Sequence, residues 1–190
     1  MRTRTSALVV ALALTSLVAA RPARAQNEAG FAPAATSGSG FGAPGQIVLS
    51  MGPTTDEHLF FHKSTGGGWT LQLSPALDYF LTSRVAVGGV LGYRHASGGA
   101  GSDSVTLGAR ASTNFDFNDK FGVWPLGGLF FNHTSADHTS SSNTWLGFYV
   151  PVLFHVAPHF FVGLGPSLEW NLQGKNDSVW GLDSVLGGWF

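Results

Sequence analysis

The chain has no cysteine and very little charge. Without cysteine it has neither disulfides nor thiolate metal sites to stabilise it. Asp, Glu, Lys and Arg make up 11% of its 190 residues, against about a quarter in ordinary soluble domains. A water-facing surface with so few charges cannot stay hydrated and free of large apolar patches. Disorder is excluded for the opposite reason: Phe, Trp, Leu and Val are too abundant for a solvated coil. Beyond residue 25 there is also no run of about 18 apolar residues, so helical membrane spans are excluded there.

The little charge present is unevenly placed. Residues 1–25, MRTRTSALVVALALTSLVAARPARA, put Arg2 and Arg4 before an apolar run from Ala7 to Ala20, then end on Ala23-Arg24-Ala25. This is the basic, apolar and small-x-small pattern of a secretory signal. The apolar run is too short for a spanning helix, which needs about 20 residues. Cleavage after Ala25 would remove Arg2, Arg4, Arg21 and Arg24, so Lys+Arg falls from 10 to 6 while Asp+Glu stays at 11, a net charge of −5. Nucleic acid is not an expected partner, because phosphate binding needs a basic stripe.

Glycine and aromatic residues are plentiful, and alternation is the dominant pattern. Residues 26–45, QNEAGFAPAATSGSGFGAPG, have little periodicity and read as a flexible Gly/Ala/Ser/Pro leader. From residue 46 to 190 the chain alternates. In WTLQLSPALDYFLT, Trp69, Leu71, Leu73, Leu77, Tyr79 and Leu81 oppose Thr70, Gln72, Ser74, Asp78 and Thr82. A strand sends alternate side chains to opposite faces, so this segment has one apolar and one polar face. SVTLGARASTNFDFN and HFFVGLGPSLEWNLQG repeat the pattern. Eight strands are predicted, at 46–63, 69–82, 85–97, 104–118, 121–134, 144–156, 160–173 and 178–190. MGPTTDEH interrupts the first, which predicts two short pieces or a bulge. The connections alternate between tight turns (Ser83-Arg84, Asp119-Lys120, Ala157-Pro158-His159) and longer polar loops such as TSADHTSSSN. That asymmetry belongs to a membrane barrel whose tight turns are periplasmic. The predicted class is therefore all-β, an eight-stranded antiparallel up-and-down transmembrane barrel.

A soluble barrel or sandwich would hide the apolar face and wet the polar one. Low charge argues against it, and so do the aromatics. Trp69, Tyr93, Trp170 and Trp180 gather at the loop ends, and Phe80, Phe115, Phe117, Phe121, Phe154 and Phe160 at the turn ends. Two such girdles suit amphipathic rings at two membrane interfaces.

The signal sequence, the alternating strands from Gln46, the turn in FLTSRVAVGG and the final strand SVLGGWF together resemble the small bacterial outer-membrane barrels of the OmpA/OmpX type. The resemblance implies an outer-membrane location in a Gram-negative-type bacterium, among lipid and lipopolysaccharide. It also implies insertion by the barrel-assembly machinery, which in that family reads a C-terminal strand ending in Phe, here Phe190. Leu182, Leu186 and Phe190 share the lipid-facing parity, whereas Ser184 and Gly188 stand where apolar or aromatic residues are usual. An aromatic at 188 is therefore expected to improve insertion. A monomer is expected.

An eight-stranded barrel has an interior that side chains just fill. Asp78, Arg94, Arg110, Asp116, Glu169 and Asp183 fall on the inward parity, with Gln72, Asn114 and Asn171. They read as a structural charge network, because a buried unpaired charge is costly. The alternative is an ion pathway, which would make the protein a small channel. His133-x-Ser135 is similar to the His-x-Ser of lipid A deacylases of the PagL type and offers a candidate base and nucleophile. That family's Asn after the Ser is Ala136 here, and its acidic orienting residue is replaced by Gly147. His58 and His62 beside Asp56 and Glu57, and His133 with His138, have no helical context that would gather them on a metal. The glycine pairs at 88–89, 127–128 and 187–188 lack a phosphate-loop setting and read as relief of crowding. No cofactor motif is present, and no catalysis is expected.

Overall fold

The computed structural model describes residues 40–52, 60–63, 68–98, 101–137, 139–173 and 178–190. The signal sequence and residues 26–39 of the leader lie outside the described residues, as do His58 and His138. Thirteen strands form one sheet: β1 (Ile47–Met51), β2 (Phe60–Lys63), β3 (Trp69–Leu73), β4 (Pro75–Phe80), β5 (Val85–Ser97), β6 (Ser102–Thr113), β7 (Phe115–Asp116), β8 (Phe121–Val123), β9 (Leu126–Ala136), β10 (Thr139–Tyr149), β11 (Val152–Ala157), β12 (Phe160–Asn171) and β13 (Ser178–Trp189). Short breaks at Ser74, Asn114, Trp124-Pro125 and Val150-Pro151 divide what are otherwise continuous staves. Proline explains the last two, since it cannot donate to a ladder. Joined across these breaks, and with β1 and β2 counted together, the described strands make eight antiparallel staves.

The sheet closes on itself. β1 pairs with β13 from Val48↔Trp189 to Met51↔Leu186, and Ile47 and Phe190 exchange backbone hydrogen bonds of 3.2 and 3.0 Å. Closure thus pairs the turn-side ends of the first and last strands, in keeping with the need of a lipid environment for paired edges.

Alternation then separates two surfaces. Outward residues such as Leu49, Leu107, Leu129, Phe131, Val152 and Leu164 are exposed, while Val48, Trp124, Leu153, Phe161 and Trp189 are buried in the lumen. The lumen is layered. Its turn-side end is aromatic: Phe41, Phe80, Trp124, Phe161 and Trp189 pack together. An ionic layer lies above, then a second apolar cluster of Ala76, Val90 and Phe130 with Trp145. Polar residues fill the loop side. Phe130 rests in a cradle of Gly108, Gly128 and Gly147. A Cβ at 128 or 147 would come within 2.8 and 2.9 Å of its ring.

The structure corrects three sequence expectations. Phe80 belongs to no girdle: it is fully buried in the lumen, and Tyr79 faces outward in its place. The long polar loop expected at 134–143 is largely strand, because β9 and β10 stay paired up to Ala136↔Thr139. Threonine and serine hydroxyls are compatible with a wet outer face, so polarity did not mark the strand end. Residues 40–45, read as leader, form turns anchored to the barrel. Gly40, Gly42 and Gly45 all have positive φ, which glycine adopts without steric cost. Gln46 clamps the turn by accepting from Gly42 N at 2.6 Å and donating to Gly40 O at 2.8 Å.

The setting of Gly188 bears on the expectation that an aromatic there improves insertion. A Cβ there would lie 2.8 Å from the His159 carbonyl oxygen, which already accepts a hydrogen bond from Trp189 N. His159 has φ of 64° in the tight β11–β12 turn. The turn crowds the last strand, so a larger residue at 188 must displace backbone.

Candidate functional site

Two places bring chemically active side chains together: the ionic layer of the lumen and the outer face near the loops. In the lumen, Arg110 on β6 and Asp78 on β4 form a bidentate ion pair. Arg110 Nε donates to Asp78 Oδ1 at 2.9 Å, and Nη2 donates both to Asp78 Oδ2 and, at 2.9 Å, to Ser50 Oγ. Both side chains are almost wholly buried. The guanidinium also lies 5.6 Å from the Trp124 ring centroid, a favourable placement for a cation. The pair is not between neighbouring strands. Val87-Gly88-Gly89 of β5 runs between them, in the register Asp78↔Gly88↔Arg110. Gly88 makes the reach possible, since a Cβ there would collide with the Asp78 carboxylate.

The other expected lumen charges do not join this pair. Arg94 is exposed at the loop side, and Asp116 is exposed at the turn side, where it accepts from Asn114 Nδ2 at 2.9 Å. Glu169 and Asp183 are half-buried on β12 and β13. On the loop side of the ionic layer, hydroxyls and amides satisfy one another: Asn132 donates to Thr106 Oγ1 at 2.9 Å and accepts from Thr134 Oγ1 at 2.9 Å.

On the outer face, β5 and β6 place His95 opposite Asp103. His95 Nδ1 lies 2.8 Å from Asp103 Oδ1, and Tyr93 Oη donates to the same oxygen at 2.9 Å. Trp69 packs on His95 with ring centroids 4.7 Å apart. This cluster sits just above the apolar belt, which on these strands ends at Val105. The hydrogen bond from His95 holds the Asp103 carboxyl below the usual carboxylate range, against a smaller opposing effect of desolvation. Sequence reasoning took Trp69 and Tyr93 for girdle residues and missed His95 and Asp103. Only the strand register brings these two together, and no short-range spacing announces it.

His133 and Ser135 both face outward on β9. As i, i+2 neighbours on a strand, their Cα atoms are about 6.6 Å apart. His133 Nδ1 instead meets Ser142 Oγ on β10 at 2.9 Å, while Ser135 stands opposite Asp103 and Ser140. Among the described residues, no carboxylate orients His133. Ladders on both sides of β9 also commit its backbone N–H groups, leaving none to stabilise an oxyanion beside Ser135. The arrangement does not assemble a nucleophile, base and oxyanion hole around His133 and Ser135.

The closed barrel has a counterpart among solved structures. The N-terminal β-barrel domain of Pseudomonas aeruginosa OprF superposes with a TM-score of 0.50 at 13% identity, over 77% of this chain and 98% of that one. The fold is an OmpA/OmpX-type barrel. Two structures of Yersinia pestis Ail, one in a phospholipid bilayer nanodisc and one a crystal structure of this attachment invasion locus protein, match at 17% and 18% identity. Their TM-scores are 0.42 and 0.40, over 77% of this chain and 99% of each of theirs. No protein-family model matches the chain, and no curated protein does. The OmpA/OmpX-type barrel thus accounts for the staves and closure, while the ion pair and the outer cluster are read from this chain's own residues.

Proposed function

We propose that the protein is an integral outer-membrane barrel, a monomer with a filled lumen, serving a structural or surface-interaction role without catalysis. The observation that carries this reading is the outward belt of aliphatic side chains on a closed sheet, bracketed by Trp170 and Trp180 above and Phe115, Phe117, Phe121, Phe154 and Phe160 below. In water such a belt would be one large aggregation surface. In a bilayer it meets hydrocarbon, with the aromatic rings at both interfaces. Lipid and lipopolysaccharide are then its immediate surroundings. Phe190, 76% exposed on the outer face, lies at the turn-side rim of the belt.

The test uses residues 26–190 folded into detergent micelles and compared on a gel before and after boiling, together with fractionation of cells expressing the whole chain. A migration shift on boiling and recovery with outer membranes are expected. Identical migration and a soluble periplasmic protein would overturn the reading. Release of an acyl chain from lipopolysaccharide, lost in Ser135→Ala, would replace the structural role with a hydrolytic one.

A further inference from the structure

Phe41, on the segment that precedes β1, is deeply buried although it belongs to no strand. It is 4% exposed and fills the turn-side end of the lumen. Five rings surround it, with centroid distances of 5.4 Å to Phe80, 5.5 Å to Trp124, 5.6 Å to His155, 5.3 Å to Phe161 and 5.3 Å to Trp189. The polar tether is confined to a few hydrogen bonds: Gly45 N donates to Phe80 O at 2.8 Å, Asn114 Nδ2 donates to Phe41 O at 3.5 Å, and Gln46 clamps the turn itself.

The socket is not chemically matched to its occupant. Both ring nitrogens of His155, Trp124 Nε1 and Asn114 Oδ1 are buried there with no hydrogen-bond partner in the protein. Burying such groups unpaired is unfavourable, and water satisfies them once the socket opens. His155 is the group whose mismatch can be changed from outside. A charged imidazole carries two N–H donors, and in the closed socket it would find rings on three sides. The ionisable groups around it are few. Asp116 is the acid that acts on it, His159 lies against Trp189, Arg110 sits over Trp124, and Lys120 offers His155 only its backbone carbonyl. Edge-on contact with Trp189 gives the cation some compensation, but no acceptor for either N–H.

We propose that residues 40–45 are a releasable stopper for the turn-side end of the lumen, seated by Phe41 and unseated when His155 is protonated. Acid then shifts the population toward the open form, because only that form hydrates the charged ring.

Trp124 and Trp189, both buried against Phe41, report the change. The experiment is acrylamide quenching of tryptophan emission from residues 26–190 folded in detergent, between about pH 8 and about pH 5, across the usual histidine range. Barrel integrity is confirmed by the boiling shift at each pH. Wild type should become more quenchable in acid, approaching the level of Phe41→Ala, which should be high at both pH values. His155→Phe should stay protected throughout, and His159→Gln should respond like wild type. If Phe41→Ala does not fold, Phe41→Leu takes its place as the loosened stopper. Equal quenching of wild type at both pH values overturns the proposal, as does an acid response that survives in His155→Phe.

Discussion

Arg110 shows how one glycine can decide an ion pair two strands away. The guanidinium reaches Asp78 across β5 only because Gly88 has no side chain at the crossing point. Breaking a buried pair by removing one partner strands the other charge, at a typical cost of about 3–5 kcal/mol. Arg110→Ala should therefore destabilise the barrel by roughly that amount, read as a lower urea midpoint for loss of the folded gel form. Gly88→Ala should also destabilise the barrel with both charges intact, since a methyl group there collides with the Asp78 carboxylate and with the Leu77 carbonyl. An Arg110→Ala barrel with an unchanged midpoint would mean that the pair is not structural. Much of this layer was legible in the sequence, because alternation alone placed Asp78 and Arg110 on the inner face. Their partnership was not legible. It depends on which residues share a row of the sheet, and a glycine between two rows carries no signal of what it admits.

At the scale of single elements, the eight staves follow from period-two alternation and turn chemistry, and their predicted limits lie close to the observed ones. Errors arose where polarity stood in for geometry. The Ser/Thr-rich stretch around 139–143 looked like a loop but continues β10, since nothing in its composition opposes pairing. Phe80 looked like an interface residue because it is aromatic and near a strand end, yet its own parity already pointed it inward. In β13, the gap in the apolar series at Gly188 looked like a weak assembly signal, and it coincides with a close approach of the preceding turn. Gly188→Phe should consequently lower, not raise, the yield of folded barrel. The measurement is the fraction that acquires the heat-sensitive gel form after dilution from urea into detergent. A higher yield would show that the terminal pattern outweighs the clash with His159.

For the molecule as a whole, the order of layers matters more than any one of them. An ion entering from the loop side would meet a polar zone, then Phe130 and Trp145, then the locked Arg110–Asp78 pair, then the aromatic end with its Phe41 stopper. Three of these layers offer no water-lined passage, so purified barrel in a planar bilayer should give no steady conductance. Sustained current that disappears on mutating Arg110 would instead assign the charges to an ion pathway. The outer surface follows a different logic. It divides into the apolar belt and, above it, the His95–Asp103 and His133–Ser142 pairs.

The ladder between β1 and β13 also sets a constraint in time. Ile47 and Phe190 bond to each other although they are separated by 143 positions (190 minus 47). A chain leaving the ribosome cannot form those bonds until Phe190 has emerged, and until then the outer edge of β1 waits unpaired. Contacts this distant in sequence form slowly, and unpaired strands invite aggregation meanwhile. The seam between β1 and β13 therefore leaves the newly made chain with an open, aggregation-prone edge until Phe190 arrives.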